Sequence, residues 1–169
     1  MTIADDQLVE VRMLGFPLDV FQRAQEHGDG LIRELTLIAQ TAPEEHDLPA
    51  RLAAIVAELS SRFAGFGDET DAARDAAIDR GDQSVDLVYR LPRAAAAASV
   101  HLGDILDEAD QYCRQGEHLL SLTTPPESLA FRRWFLGEIV RQAHGDQPRS
   151  WADYVAAHPY ATGEAGAAR

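Results

Sequence analysis

Residues 84–140 switch between the two hydrophobic periods, and that alternation restricts the chain to a mixed architecture. In the run Ser84-Val85-Asp86-Leu87-Val88-Tyr89-Arg90-Leu91, the residues Val85, Leu87, Tyr89 and Leu91 share one face, the period-two pattern of a half-buried strand. After Pro92 comes an alanine block, residues 94–98, followed by a helical stripe of Leu102, Ile105, Leu106, Ala109 and Cys113 that stops at Gly116. So many small side chains permit close approach of a neighbouring backbone, although high helix propensity alone accounts for them. Residues 117–123 read as a further strand. Thr124-Pro125-Pro126-Glu127 then has the spacing of a capping box, with Thr124 as cap, proline in the first turn and Glu127 reaching back. Leu129, Leu136, Ile139 and Val140 supply the inner stripe of the helix that follows, and Gly145 closes it. The intervening helix is long enough for a crossover, which predicts that the two strands are parallel and joined right-handedly.

Upstream, Val9, Val11 and Met13 fall on one face and Glu10 and Arg12 on the other, a first strand halted by Gly15, Phe16 and Pro17. From Leu18 apolar residues recur at Phe21, Ala24, Leu31, Leu35 and Ile38, the stripe of an amphipathic helix. The stripe runs through Gly28 and Gly30, each of which costs about 1 kcal/mol relative to alanine inside a helix. A kink, a break after His27, or another element packed closely against the glycines would explain them, and close packing is the expectation. A polar break at residues 42–46 precedes a second helix carrying Leu48, Leu52, Ile55, Leu59 and Phe63, ended by Gly65 and Gly67. A weaker helix over residues 68–80 is acidic at its start and basic at its end, with Gly81 at the left-handed cap position. Ser150-Trp151-Ala152-Asp153 has the form of a cap for one last short helix. The reading is a helix-dominated α+β fold: a small sheet of about three strands, two of them parallel, packed with five or six helices. One domain is expected over residues 1–158, with residues 159–169 a small, polar, disordered tail.

Acidic residues number 28 against 15 basic ones, a formal charge of -13 that repels a phosphate backbone, so nucleic acid is not an expected partner. All the basic residues are arginine. Without lysine there is no P-loop lysine, no Schiff base and no lysine general base. The single cysteine, Cys113, rules out an internal disulfide and suits a reducing cytoplasm. The amino-terminal residues lack the basic-then-apolar pattern of a leader, and no apolar run approaches the ~18 residues of a membrane span. The expected location is the cytoplasm, away from membranes.

Several local patterns invite a chemical reading. Leu106-Asp107-Glu108-Ala109-Asp110 spells a string familiar from helicases, but it falls within helical periodicity and no phosphate-binding loop precedes it, so a solvated acidic face is expected. Asp104, Asp107 and Glu108 share that face at helical spacing and could weakly hold a divalent cation, although a dedicated site would want oxygen ligands from elsewhere too. The six histidines, His27, His46, His101, His118, His144 and His158, lack metal-binding spacing. Cys113 lies near His118 but on the apolar stripe, which favours a buried, inert thiol. No metal, cofactor or catalytic residue is expected.

The densest aromatic and cationic cluster is Phe131-Arg132-Arg133-Trp134-Phe135. One reading has Phe131 and Phe135 completing the core while Arg132 and Arg133 pair with the acidic helix. The other exposes part of the cluster, with Asp107 and Glu108, as an interaction surface, because tryptophan and arginine dominate interface energies.

Three segments, Leu8-Val9-Glu10-Val11-Arg12, Leu106-Asp107-Glu108-Ala109-Asp110-Gln111-Tyr112-Cys113-Arg114 and the cluster of residues 131–135, resemble a family of actinobacterial proteins associated with partner-switching loci. Such loci contain ATP-binding anti-sigma kinases, STAS-domain antagonists and PP2C-type phosphatases. The resemblance implies a regulatory role through contact with a protein partner and transfers no catalytic residue. The asparagine and glycine boxes that hold ATP in the kinases of these loci are missing, which argues for a partner and against an ATPase. The expectation is a non-enzymatic cytosolic interaction module in bacterial signalling or stress response. Two alternatives stay open: a small-molecule-sensing domain or small enzyme with a pocket at the carboxyl ends of the strands, where Arg12, Asp86, Arg90 and His118 would converge, and a structural homodimer.

Overall fold

The computed structural model describes residues 8–41, 47–116 and 123–160. In chain order the elements are β1 (Leu8–Pro17), α1 (Leu18–Thr41), α2 (Leu48–Arg62), α3 (Asp68–Asp79), β2 (Ser84–Pro92), α4 (Ala94–Gln115), α5 (Pro126–Ala143) and α6 (Trp151–Ala157). The fold is helix-dominated α+β, with six helices and a two-stranded antiparallel sheet among the described residues. The expected strand over residues 117–123 lies outside them except for Thr123, and with it the expected parallel pairing.

β1 does not halt at Gly15. Gly15 adopts a left-handed φ of 62°, and the register shifts between Met13 and Phe16, so the strand bulges and continues to Pro17. The Asp86 carboxylate accepts from the Gly15 N–H at 2.6 Å and fixes the bulge against β2. The extra residue re-aims the chain, and Phe16 joins Val11 and Met13 inside.

A two-stranded sheet has two open edges, and here a helix side chain covers part of each. Arg12 and Val88 are partners in the register, and their outward-facing backbone groups are the ones engaged. On the β1 side the Gln142 amide accepts from the Arg12 N–H and donates to the Arg12 carbonyl, both at 2.8 Å, as a strand residue would. On the β2 side the Thr70 hydroxyl donates to the Val88 carbonyl at 2.6 Å.

Among the described residues the interior divides into two hydrophobic clusters. The first lies between the inner face of the sheet, the start of α1, α5 and α6, around Met13, Phe16, Leu87, Phe131 and Trp134. Phe16 meets Phe131 edge-on with ring centroids 5.4 Å apart, a geometry that adds about 0.5–1.5 kcal/mol beyond area burial. The second joins the end of α1 to α2 and α4 through Leu31, Leu35, Leu52, Ile105 and Cys113.

α1 serves both clusters, passing from Leu18 and Val20 in the first to Leu31 and Leu35 in the second. Gly28 and Gly30 sit where the stripe crosses over, and the helix is continuous there. The expected close packing is not found. A Cβ built on Gly28 meets nothing within 4 Å, and one on Gly30 meets only the Arg33 guanidinium at 4.0 Å.

The capping box expected at Thr124 also takes another form. The residue before α5 is Pro125, with no side-chain cap, while the Thr124 hydroxyl donates to Asp110 and Glu127 pairs with Arg23 at 2.8 Å. Both groups serve tertiary contacts in place of the local reciprocal pair. The cap at Ser150 does form, accepting from the Asp153 N–H at 3.1 Å. Tyr160 rests against Trp151 with centroids 6.1 Å apart, and residues 161–169 lie outside the description.

Because Gly28 is helical and faces open space, Gly28→Ala should raise stability by about 0.5–1 kcal/mol through the unfolded-state entropy it removes. Urea denaturation checks this, and a loss of stability would mean that the glycine is needed for a contact the fold does not contain.

Candidate functional site

Small side chains leave room where the two clusters meet. Ala24 and Gly28 on α1, and Ala98 and Ser99 on α4, border two chambers of about 500 and 450 Å³, each a cleft open to solvent. The first chamber is walled by Phe21 and Leu31 of α1, Leu106 of α4 and Phe131 of α5. The second lies between Leu59 and Phe63 at the end of α2, the turn through Phe66, Tyr89 of β2 and Ile139 of α5. Leu102, Phe135 and Leu136 border both chambers and form the septum between them. Volumes of this size, with walls mostly of carbon and a few convergent polar groups, are the usual form of a small-molecule site between helices.

The polar groups are concentrated at α3. Arg74, largely buried, pairs with Asp71 at 2.7 Å and Asp75 at 2.9 Å and stacks over the Phe21 ring at 4.5 Å from its centroid. Asp71 borders both chambers. Burial, reinforced by the Asp71 charge, pushes the Tyr89 phenol up to about 12, while Arg74 pulls the other way. A neutral phenol at the wall is therefore fixed across the physiological range.

A second polar knot closes the far side of the first chamber. Asp110, almost fully buried on α4, accepts from the Thr124 hydroxyl and N–H and from Arg132 at 2.7 Å. Burial raises its carboxyl, but the Thr124 and Arg132 hydrogen bonds outweigh that and hold it below the usual carboxylate range.

The cluster at residues 131–135 divides by side chain. Trp134 is fully buried, with its indole Nε1 donating to the Arg149 carbonyl at 2.9 Å, and Phe131 is nearly so. Phe135 is half-buried in the septum. Arg132 pairs with Asp107 at 2.6 Å as well as with Asp110. Exposed Arg133 lies 3.8 Å from Asp107, and Glu108 pairs with Arg51 at 3.0 Å. The outward members of the set are thus Arg133, Asp107 and Glu108.

Arg12, Asp86 and Arg90 lie on the exposed face of the sheet, and His118 is outside the described residues. The strands run antiparallel, so their carboxyl ends point to opposite ends of the sheet, and the two chambers lie between helices instead. Cys113 is buried, and its thiol is pushed up by burial and by Asp110. Among the described residues no group of three His, Cys, Asp or Glu side chains is placed to hold a metal ion, and no helix is long and apolar enough to cross a membrane.

Sequence reasoning missed Glu138, Gln142 and Asp110, three buried polar residues that lock α5 in place. Glu138 and Gln142 stand four apart on the face that carries Trp134 and Ile139, and that spacing is the signal available. No protein-family model matches the chain, and no curated protein and no solved structure matches it either.

With its pKa raised from 10.0 to about 12 in the fold, Tyr89 stabilises fully below pH 10 and loses that contribution as pH rises toward 12. The loss is about 2–3 kcal/mol. The absence of lysine leaves few other groups titrating in that window. Unfolding measured at pH 8 and pH 11.5 should show a smaller alkaline drop for Tyr89→Phe than for the parent. Equal drops would remove Tyr89 from the account.

Proposed function

We propose that this chain is a non-enzymatic regulatory module of bacterial signalling that takes a small, mainly apolar ligand between its two cores. The single observation that carries the reading is the pair of chambers of about 500 and 450 Å³ that share Leu102, Phe135, Leu136 and Asp71 as a common wall. Both clefts open to solvent and leave largely carbon-lined surface in contact with water, which a ligand seated there would cover.

The same helix supplies a means of reporting occupancy. α4 turns Leu102 and Leu106 toward the chambers, while Asp104, Asp107 and Glu108 lie exposed on its surface. Val100, also on α4, is 50% exposed. A ligand that displaces the septum shifts the outer acidic face of α4 together with Arg133 of α5. In this reading a partner protein docks on that face, with charge setting partner choice and encounter rate.

Titration with the neutral fluorophore N-phenyl-1-naphthylamine tests the ligand half of the proposal. The parent chain should bind it saturably with a blue-shifted, enhanced emission. Ala98→Phe, combined with Ala24→Phe, fills the chambers and should weaken binding at least tenfold while unfolding stays cooperative. Absence of saturable binding, or binding untouched by the two fillers, would overturn the reading.

A further inference from the structure

Among the described residues the charged side chains that border the second chamber are Asp68 and Asp71, with the Arg62 guanidinium outside it over the Phe63 ring. Asp68 is exposed at the first turn of α3, where the helix amino terminus favours a carboxylate, and no ion pair engages it among the described residues. Asp71 has Arg74 as its counterion, but Arg74 is shared with Asp75. Asp68 is therefore the carboxylate at this mouth that no counterion among the described residues neutralises.

The walls are aromatic. Phe63, Phe66, Tyr89 and Phe135 all border the chamber, and Gly65, with a left-handed φ of 84°, shapes the turn that presents Phe66. Faces of aromatic rings attract cations, most strongly where water is excluded. A cation of the chain already uses one of them, since the Arg62 guanidinium lies 5.5 Å from the Phe63 ring centroid. The first chamber differs: its two arginines, Arg74 and Arg132, are each held by two carboxylates, so an anionic ligand would have to displace fixed partners. The net charge of -13 repels anions over longer range.

From this the geometry points to a lipophilic organic cation as the ligand class, its positive centre among Phe66, Tyr89 and Asp68 and its apolar body against the septum of Leu102 and Phe135. The inference rests on the ligand-binding reading above and adds the sign of the charge. A cation–aromatic contact of this kind separates ligands of equal shape by their charge.

Tetraphenylphosphonium and tetraphenylborate share size and shape and differ in sign, which makes them the direct probes. Calorimetric titration of the full chain should show one-to-one binding of the phosphonium and binding of the borate at least tenfold weaker. Phosphonium affinity should fall with added salt and drop severalfold in Asp68→Asn and in Phe66→Leu, both at exposed or half-buried positions that leave thermal unfolding cooperative. Equal binding of the two ions, or phosphonium binding indifferent to both variants, would overturn the charge assignment. If N-phenyl-1-naphthylamine binds and the phosphonium neither binds nor displaces it, the cation inference falls and the ligand-binding reading stands. If N-phenyl-1-naphthylamine does not bind, the ligand-binding reading falls and the cation inference with it.

Discussion

The arrangement depends on one buried carboxylate. Glu138 of α5 is fully enclosed and accepts from Arg141 at 2.6 Å, from the Gln142 amide at 3.1 Å and from the Arg149 N–H at 2.9 Å, with the Arg149 guanidinium 3.5 Å away. An enclosed charge is tolerable only when paired and fully hydrogen-bonded, so these contacts are obligatory once α5 is in place. Through Gln142 the network reaches the open edge of β1, and through Arg149 it fixes the segment that covers Trp134. α5 is thereby held against the sheet in one position, and its aromatic face is committed to the first cluster.

That commitment explains the gap. α5 cannot also slide toward the second cluster, which has its own register set by α1, α2 and α4. Between them the chain offers Ala24, Gly28, Ala98 and Ser99, side chains too small to bridge two independently fixed cores. Leu102, Phe135 and Leu136 span part of the distance and leave a chamber on either side. Within the alanine block of α4, Ala95 is buried in the first cluster, and both Ala95 and Ala98 border the second chamber.

Elements governed by periodicity were legible in the sequence. The stripe of α1, the left-handed Gly81 after α3 and the Ser150 cap of α6 all follow from local rules, as does the inward burial of Cys113. What stayed hidden was non-local. Whether Thr124 caps its own helix or joins Asp110 depends on where α4 brings a carboxylate, and no window of sequence contains that. The bulge at Gly15 needs Asp86 from a strand about seventy residues on to hold it. Phe131 and Trp134 went to the core because α5 meets the sheet along that face, leaving Arg133, Asp107 and Glu108 outside. The chambers were least legible of all, since a run of alanines and a helical glycine carry the same local signal whether the neighbouring space is filled or empty.

The central claim is that two separately locked cores leave accessible apolar clefts, open to solvent, at the α4–α5 junction. A crystal structure determined under xenon pressure tests this directly, because xenon enters apolar cavities without needing any specific chemistry. The account predicts xenon density on either side of Leu102, Phe135 and Leu136. A continuous, close-packed interior at that junction, with no xenon beside those three residues, would contradict it.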